Sequence, residues 1–506
     1  MNTIKADVAV IGAGITGCAI ARQLSKYKLS TLVIEKEADV GWGTTKANTG
    51  LIHSGYAGEK GSLKLSLCHN GNILFRKNAS ELDIPIKNTG SLLNVFSQSQ
   101  IKILEENLKQ GKAQGLLGLE IISNKNGALK KLEPNISKNV VAGLYAGQAC
   151  IISPYEAAIA LYENAKKNSV RFMLASKVTS IEYEKSQKCF FINIQPTSSE
   201  HSIYGCAPGL VIAADYVVNA AGIYADEIAK MVGDLSFEIK AVKGQYYLLD
   251  SEAGELVKRP NMRISDPKTK KSKGMVVAPT TGNNIIIGST YEDTDKNDFS
   301  TTKEALDEVK VKLGQMIENI PFNKTITIFA GLRAISNTGD FIIGQSEANK
   351  KFVNAAGIQS PGLTCAFIIS EIISDQLKEA GLKLEKNTKF IPERKRFPKL
   401  DKFNFKNNHE LFARNSSYGE IICRCEKVSE AEIINAIENG ATTLDGVKFR
   451  TRAGMGRCQG GYCTLRVMKL LSKKLGIPIE KITKSGGDSY QAKIEMEAYL
   501  DKTGRK

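Results

Sequence analysis

The chain opens with a run of apolar residues that predicts a buried strand. Residues 7–11 form a run that is apolar after Asp7, and a glycine-rich turn follows. Helical spacing of apolar positions then extends to Tyr27, and a second apolar run covers residues 31–34. Short apolar runs bounded by glycine are typical of strands in a parallel sheet, and the helical spacing between them is typical of the connecting helix. The N-terminus therefore predicts a β-α-β unit.

Two later segments, residues 216–226 and 352–374, repeat the pattern of an apolar strand that ends in small residues. The sequence between them has the alternation and the turns of antiparallel strands at residues 242–250, 274–278 and 285–289. We therefore predict an α/β fold in which a Rossmann-like nucleotide-binding domain carries an inserted antiparallel, β-rich substrate domain.

The sequence predicts four successive regions. A catalytic region covers residues 1–385, with nucleotide-binding parts at about 1–80, 141–230 and 330–385 and substrate-domain parts at about 81–140 and 231–329. Residues 386–417 lack periodicity and predict a surface linker. Residues 418–485 predict a small helical module, and residues 486–506 a charged tail. Within the module, Ser429 and Glu432 form a capping pair that predicts a helix over residues 429–439, and an apolar helix is predicted over residues 463–475.

Composition narrows the class of protein. The 506 residues are 42% hydrophobic and carry a net charge of +16, which describes a folded, basic protein. Its lysines are scattered without a nucleic-acid-binding motif, so we expect no nucleic-acid partner. No signal peptide and no apolar run of about 18 residues is evident, so we expect a cytoplasmic protein without a membrane span. Peripheral association with the inner face of a membrane stays open.

The first turn carries a dinucleotide fingerprint, Gly12-x-Gly14-x-x-Gly17. Gly12 permits the tight turn, Gly14 lets the backbone approach a pyrophosphate, and Gly17 lets the helix and strand pack closely. Glu35 ends the second strand, where a carboxylate accepts hydrogen bonds from the adenosine ribose. Because NAD and FAD present the same adenosine diphosphate, the fingerprint alone does not separate them.

Four cysteines cluster near the C-terminus as two close pairs, Cys423-x-Cys425 and Cys458-x4-Cys463, with 32 residues between the pairs. Four thiolates hold either a 2Fe-2S cluster or one zinc ion. The single-residue gap favours the cluster, since zinc pairs are usually separated by two to four residues. Positive charge is expected around the cluster from Arg424, Arg450, Arg452 and Arg457.

Several motifs resemble the FAD-dependent oxidoreductases that include D-amino-acid oxidase, glycerol-3-phosphate dehydrogenase and L-2-hydroxyglutarate dehydrogenase. They are the fingerprint, residues 44–55, Asn219-Ala220-Ala221-Gly222, Gly331-Leu332-Arg333, and residues 357–364. Residues 420–470 resemble the 2Fe-2S domain of bacterioferritin-associated ferredoxin, through the cysteines and Arg452-x-Gly454-Met455-Gly456-x-Cys458-Gln459-Gly460. The combination resembles the large subunit of anaerobic glycerol-3-phosphate dehydrogenase.

The resemblance implies FAD and a set of contacts to it beyond the fingerprint, namely Thr45, Asn48, Gly50, Gly222, Gly357, Gly362, Leu363 and Thr364. It places a substrate-binding arginine at Arg333, whose planar guanidinium suits a phosphate or carboxylate. His53 is our candidate base, because imidazole titrates near neutral pH; a structural histidine is the alternative. Lys243 and Tyr246 are further candidates that face the flavin.

The expected activity is oxidation of a small anionic substrate, sn-glycerol 3-phosphate, to dihydroxyacetone phosphate. Electrons would then pass through the 2Fe-2S cluster to a partner protein or a quinone pathway. Residues 358–364 depart from the Gly-Gly-Lys pattern of glycerol-3-phosphate dehydrogenases, so an L-2-hydroxy acid is the alternative substrate. An electron-relay subunit without a substrate of its own, and zinc in place of the cluster, also stay open.

Overall fold

A computed structural model describes residues 3–198, 207–264, 274–401 and 405–492. Its strands are β1 (Thr3–Ile11), β2 (Thr31–Ile34), β3 (Leu51–Ile52), β4 (Ser91–Val95), β5 (Leu119–Ser123), β6 (Ala142–Ala146), β7 (Cys150–Ile151), β8 (Arg171–Met173), β9 (Ser176–Glu184), β10 (Cys189–Pro196), β11 (Val211–Asn219), β12 (Ile239–Leu249), β13 (Asn261–Arg263), β14 (Val276–Pro279), β15 (Ile285–Gly288), β16 (Glu292–Thr294), β17 (Thr325–Ser336), β18 (Ile342–Gln345), β19 (Phe352–Ala356), β20 (Ile421–Cys423) and β21 (Val428–Ser429).

Its α-helices are α1 (Ile15–Leu24), α2 (Gly43–Lys46), α3 (Leu63–Glu81), α4 (Ile101–Ala113), α5 (Ala128–Leu132), α6 (Pro154–Lys167), α7 (Ala225–Lys230), α8 (Lys303–Gly314), α9 (Gly362–Glu379), α10 (Phe405–Arg414), α11 (Glu430–Glu438), α12 (Leu444–Thr451) and α13 (Thr464–Leu475). None of the helices in the described ranges has the length and hydropathy needed to cross a bilayer.

The predicted nucleotide-binding domain is built on an eight-stranded sheet in the order β18-β19-β11-β1-β2-β8, with β10 paired to β11 and β9 paired to β10. Strand β1 is parallel to both β2 and β11, and β11 is parallel to β19. Alternate residues of β1 belong to two different cores: Val8 and Val10 face α1, α3, α6 and α9, while Ala9 and Ile11 face the other side. Burial on both faces explains the continuous apolar run in the sequence.

The second sheet has nine strands in the order β16-β12-β15-β14-β13-β4-β6-β5, with β17 paired to β12. Two predicted domain boundaries are wrong. Residues 142–146 form β6, which pairs with β4 and β5, and residues 330–336 belong to β17, which pairs with β12 along its length. The predicted limits at residues 141 and 330 therefore assigned parts of this sheet to the other domain. Pairing between distant strands, which leaves no local signal, decides both cases.

The predicted linker packs on the first domain, where Arg394 pairs with Glu163 at 2.6 Å and Asn164 donates to the carbonyl of Ile391. It also contains helix α10, which the sequence analysis overlooked. In the C-terminal module the capping box of Ser429 and Glu432 is confirmed at the start of α11. Helix α13 matches the predicted apolar helix, whereas α12 was overlooked.

The first residues of the predicted tail belong to the module. Residues 486–492 continue the module, since Thr483 and Tyr490 form an antiparallel bridge and a side chain on Gly486 would collide with Ala38. Residues 493–506 lie outside the described residues.

Candidate active site

A cavity of about 1420 Å³ lies between the two sheets, at the carboxyl ends of β1 and β11. Eight of the predicted cofactor contacts line it: Gly12, Gly14, Glu35, Thr45, Asn48, Gly222, Gly362 and Leu363. Both candidate catalytic residues, His53 and Arg333, line the same cavity. The other predicted contacts, Gly17, Gly50, Gly357 and Thr364, are not among the lining residues and lie behind the wall.

The fingerprint glycines occupy positions that a side chain would not fit. Gly12 has a φ of +101°, and a Cβ there would lie 2.4 Å from the carbonyl oxygen of Ala220. A Cβ on Gly17 would lie 2.0 Å from the carbonyl oxygen of Gly12. These contacts bring the N-terminus of α1 to the cavity wall, where Gly14 precedes the first turn and the hydroxyl of Thr45 accepts a hydrogen bond from the backbone N–H of Ile15 at 3.0 Å. Unpaired backbone N–H groups at such an end favour an anion.

Glu35 closes this end of the cavity. Its carboxylate accepts hydrogen bonds from the backbone N–H groups of Ala13, at 2.6 Å, and Glu37, at 2.9 Å. Burial raises the pKa of Glu35 to about 7, although both backbone hydrogen bonds act in the opposite direction. The carboxyl group of Glu35 is thus fixed at the cavity wall. Hydroxyl groups that donate hydrogen bonds to it would favour its ionised form.

Arg333 lies on β17 at the opposite end of the cavity, and its guanidinium is held from several sides. It donates to the hydroxyl of Ser289, to the carbonyl of Thr290 at 3.3 Å and to the hydroxyl of Tyr246 at 3.5 Å. No carboxylate is among these partners, so its charge is not neutralised by them. A fixed cation of this kind can bind a phosphate or a carboxylate.

Gly244, which the sequence analysis did not single out, makes this position available. Arg333 pairs with Val242 across β12 and β17, and Gly244 follows two residues later on the same face. A Cβ on Gly244 would lie 2.5 Å from a terminal nitrogen of Arg333. The only sequence signal was a glycine inside a strand, which often marks a close approach.

His53 lines the cavity next to the N-terminal end of α9. Its backbone N–H donates to the hydroxyl of Thr364 at 2.9 Å, and its ring Nε2 lies 3.3 Å from the hydroxyl of Ser360. Thr364 therefore fixes the backbone of His53 from behind the wall. Ser360 lines the cavity beside the imidazole and was not predicted as an individual site residue.

The two further candidates, Tyr246 and Lys243, lie on opposite faces of β12. Tyr246 lines the cavity and stacks on Phe329, with ring centroids 5.0 Å apart. The prediction for Lys243 is wrong, because its ammonium group pairs with Asp298 at 2.6 Å and the residue does not line the cavity. Alternation along β12 explains the difference, since Lys243 points to the face opposite Gly244 and Tyr246.

The four clustered cysteines lie together as two pairs of thiols. The sulfur atoms of Cys425 and Cys458 are 3.4 Å apart. Cys423 shares a hydrogen bond with Cys463, which lowers the pKa of Cys423 to about 6 and raises that of Cys463. Across the described residues, no three His, Cys, Asp or Glu side chains converge as ligands of one metal ion. Two pairs match a centre of two irons that is held by four thiolates.

Three of the arginines expected around the cysteines instead join the module to the rest of the chain. Arg450 makes a buried, bidentate pair with Asp39. Arg452 donates to Glu426 and to Asn284, both at 2.8 Å, and Arg457 pairs with Asp250 and Glu252. These contacts largely neutralise the charge of the three arginines. Their main role is therefore to hold the module in place, not to provide the positive charge that was expected around the cysteines.

Aromatic side chains complete this interface. Phe449 of the module packs against Trp42 and Tyr155, with ring centroids 5.7 and 4.9 Å apart. Trp42 also lines the cavity, and so do Ser485, Gly486 and Gly487 of the module. The C-terminal module therefore forms part of the cavity wall next to Glu35.

Comparison with known proteins identifies both parts of the chain. Residues 7–376, more than half of the chain, match the family described as FAD dependent oxidoreductase. The chain belongs to the FAD-dependent oxidoreductase family. Residues 421–473 of this oxidoreductase match the BFD-like 2Fe-2S binding domain. The predicted family, FAD and the 2Fe-2S cluster are thereby confirmed.

Two relatives extend over nearly the whole oxidoreductase, and a solved structure covers about three quarters of it. A glycerol 3-phosphate dehydrogenase of Caloramator mitchellensis is 42% identical over 96% of this chain and 97% of its own length. The anaerobic glycerol-3-phosphate dehydrogenase subunit A1 of Haloferax volcanii is 25% identical over 97% of this chain and 87% of its own length. The FAD-bound L-alpha-glycerophosphate oxidase of Mycoplasma pneumoniae superposes with a TM-score of 0.70 at 27% identity, over 78% of this chain and 99% of that one.

The cavity of the oxidoreductase fits FAD. The N-terminus of α1 suits the diphosphate, and Glu35 suits the ribose. At Gly222 a Cβ would meet no atom within 4 Å, so the backbone there is open to a ligand. Arg333 and His53 remain at the other end of the cavity, where a substrate can bind.

Proposed function

We propose that this oxidoreductase oxidises sn-glycerol 3-phosphate to dihydroxyacetone phosphate and passes the electrons through its 2Fe-2S cluster to a partner. The glycerol 3-phosphate dehydrogenase of Caloramator mitchellensis, 42% identical over 96% of this chain, matches at higher identity and over more of the chain than the relatives named for L-2-hydroxyglutarate, which are 27–29% identical over 52–75% of it. This favours the phosphate substrate over the 2-hydroxy acid.

One observation carries the proposal: Arg333 offers a guanidinium that has no carboxylate among its hydrogen-bond partners in the described residues, in the same cavity as the imidazole of His53. A substrate that combines an anionic group with a secondary alcohol would use both. The guanidinium would bind the phosphate by two parallel hydrogen bonds and fix the orientation of the carbon chain.

Different residues of the chain would bind the cofactor, orient the substrate and accept the proton. Gly12, Gly14 and Glu35 would hold the adenosine diphosphate of FAD, which supplies the hydride acceptor. Arg333, supported by Ser289 and Tyr246, would orient the substrate. His53 would take the hydroxyl proton at Nε2, and Ser360 lies close enough to orient the ring.

The C-terminal module supports electron delivery to another protein. A 2Fe-2S cluster transfers one electron at a time, and the Haloferax volcanii relative is named as a subunit. We expect this chain to deliver electrons to a protein partner. Its cytoplasmic location, with peripheral association to the inner face of a membrane, stays a prediction.

Anaerobic bleaching of the flavin tests the substrate. The purified FAD-loaded protein is mixed without oxygen with glycerol 3-phosphate or with L-2-hydroxyglutarate, and the visible flavin absorbance is followed in a stopped-flow instrument. We expect rapid bleaching by glycerol 3-phosphate only. Arg333→Gln should raise the substrate concentration for half-maximal rate at least about a hundredfold, because a charge-assisted bidentate contact is lost. Arg414→Gln, an exposed arginine on α10, is the control.

Other outcomes would change the proposal. Bleaching by the hydroxy acid alone would keep the role of Arg333 and replace the substrate. Bleaching by neither compound, in a protein whose flavin accepts electrons from dithionite, would favour the electron-relay alternative.

A further inference from the structure

The C-terminal module has one face bound to the rest of the chain and another face open to solvent. The bound face carries Phe449, Arg450 and Arg452, which contact Trp42, Asp39 and Asn284. Arg450 and Asp39 are both almost fully buried in this contact. The interface fixes the module, so electrons must leave the cluster from the side that the interface does not cover.

The thiols of Cys425 and Cys458 are the least covered of the four. Cys425 is exposed and Cys458 is half-buried, whereas Cys423 and Cys463 are buried. The backbone N–H of Tyr462 is hydrogen-bonded to the sulfur of Cys458. A partner that touches this region would therefore approach the cluster through its least covered thiolates.

Two large apolar side chains project from the same region. Tyr462 is 80% exposed and Leu465 is 58% exposed. They are three residues apart, with Tyr462 just before α13 and Leu465 in its first turn, and the buried side of α13 packs through Val467, Met468 and Leu471 into the module core. Large apolar side chains that are exposed to water beside a redox centre are typical of a protein-binding surface.

Basic residues surround these apolar side chains. Arg424 precedes Cys425, and Lys469 and Lys473 follow Leu465 at successive turns of α13; all three are exposed. The neighbouring acids are already paired: Glu426 with Arg452, Glu252 with Arg457, and Glu420 with Arg466. The electron-exit surface, defined as Arg424, Cys425, Tyr462, Leu465, Lys469 and Lys473, therefore has a positive rim.

We propose that the electron-exit surface docks an acidic one-electron carrier protein. Tyr462 and Leu465 provide the apolar centre of the contact, and the rim steers a negatively charged face toward Cys425. Each encounter moves one electron from the reduced cluster to one oxidised carrier. This inference rests on the proposed function for the source of electrons during turnover, but its test does not need the substrate.

The test uses the full-length, FAD- and cluster-loaded protein, reduced anaerobically with dithionite and freed of excess reductant. It is mixed in a stopped-flow instrument with the acidic haem domain of cytochrome b5 or with basic cytochrome c, and haem reduction is recorded at several salt concentrations. Two variants are compared with wild type: Tyr462→Ser/Leu465→Gln and Lys469→Glu/Lys473→Glu. Leu117→Gln/Leu235→Gln, both leucines being 74% exposed, and Lys102→Glu/Lys109→Glu on α4 are the matched controls.

We expect the rate constant for cytochrome b5 to fall about tenfold in each test variant, equivalent to about 1.4 kcal/mol, and to be unchanged in the controls. Added salt should slow the wild type and have less effect on the lysine variant. Cytochrome c should react more slowly than cytochrome b5 at low salt. The iron and FAD contents identify a variant that has lost a cofactor. If the Tyr462→Ser/Leu465→Gln variant has lost its cluster, the Lys469→Glu/Lys473→Glu variant tests the proposal, because its changes lie on the outer face of α13.

Three results would overturn the proposal. Equal rates of haem reduction in wild type and both test variants would show that electrons do not leave through the electron-exit surface. Faster reduction of cytochrome c at low salt would contradict an acidic partner. Mass photometry that shows a wild-type dimer, and monomers of Tyr462→Ser/Leu465→Gln, would assign the surface to a second copy of this chain. Failure of glycerol 3-phosphate to bleach the flavin would affect only the proposed function.

Discussion

Gly244 is as important to the substrate end of the cavity as the arginine beside it. Its missing side chain leaves the volume that the guanidinium of Arg333 occupies, with 2.5 Å between a hypothetical Cβ and the nearest nitrogen. We predict that Gly244→Ala displaces Arg333 and raises the KM for glycerol 3-phosphate at least about tenfold, because about 1.4 kcal/mol of binding is lost.

Steady-state kinetics and FAD content check this prediction. Gly314→Ala is the control, since Gly314 ends α8 and a Cβ there would meet no atom within 4 Å. An unchanged KM in Gly244→Ala would mean that Arg333 does not bind the substrate in the position it has here.

Glu35 makes FAD binding depend on pH. Its pKa is raised to about 7 by burial, so about half of the free protein carries the neutral acid at pH 7. Ribose hydroxyls donate to the ionised form, so binding favours loss of the proton and lowers the pKa. The affinity for FAD should therefore be constant above about pH 8 and fall by up to about tenfold per unit below pH 7.

Titration of the FAD-free protein with FAD between about pH 5.5 and 8.5, followed by quenching of FAD fluorescence, measures this dependence. Glu35→Gln should bind more weakly and lose the dependence between pH 5.5 and 7. A wild-type curve as flat as that of the variant would contradict the role of Glu35.

The ion pair between the loop that follows β2 and helix α12 connects the two cofactor-binding regions. Asp39 and Arg450 are both buried, and Asp39 follows directly after the residues that line the adenosine end of the cavity. Removing one partner leaves an uncompensated buried charge, so we predict that Asp39→Ala lowers the free energy of unfolding by about 3–5 kcal/mol.

Denaturation of the FAD-loaded protein measures the loss, and the double variant Asp39→Ala/Arg450→Met should recover much of it because no charge remains buried. Lys474→Ala, which removes an exposed pair with Glu438, should cost less than about 1 kcal/mol. If Asp39→Ala were as stable as Lys474→Ala, the module would not be fixed through this pair.

Local patterns were predictable from the sequence, and long-range pairings were not. The fingerprint turn and the capping box of Ser429 and Glu432 each depend on residues within a few positions, and both occur as predicted. By contrast, β17 belongs to the second sheet because it pairs with β12, more than 70 residues away. Lys243 was misjudged for a different reason, since the alternation along β12 places it on the face opposite Tyr246, where it pairs with Asp298.

The same limit applies to the arginines near the cysteines. Their spacing predicted a positive environment for the cluster, but Arg450 reaches Asp39, 411 positions earlier in the chain. No periodicity or motif reports such a contact. The sequence therefore predicted which groups bind the cofactors better than how the two cofactor regions are held together.

The arrangement of the two regions implies that flavin reduction and electron delivery can be separated. Cys425 is the exposed member of a thiol pair whose sulfur atoms are 3.4 Å apart, and it lies far along the chain from every residue proposed to bind the substrate. We predict that Cys425→Ala loses the cluster, with iron falling to near zero, while glycerol 3-phosphate still bleaches the flavin at a rate within about threefold of wild type.

Iron analysis, stopped-flow bleaching and reduction of cytochrome b5 during turnover test this separation, with Cys189→Ala as the control because Cys189 is buried in β10 of the first sheet. Carrier reduction should be lost in Cys425→Ala and retained in Cys189→Ala. A Cys425→Ala protein that still reduced cytochrome b5 at the wild-type rate would show that electrons leave directly from the flavin. The buried ion pair between Asp39 and Arg450 would then serve to complete the FAD cavity rather than to position an electron exit.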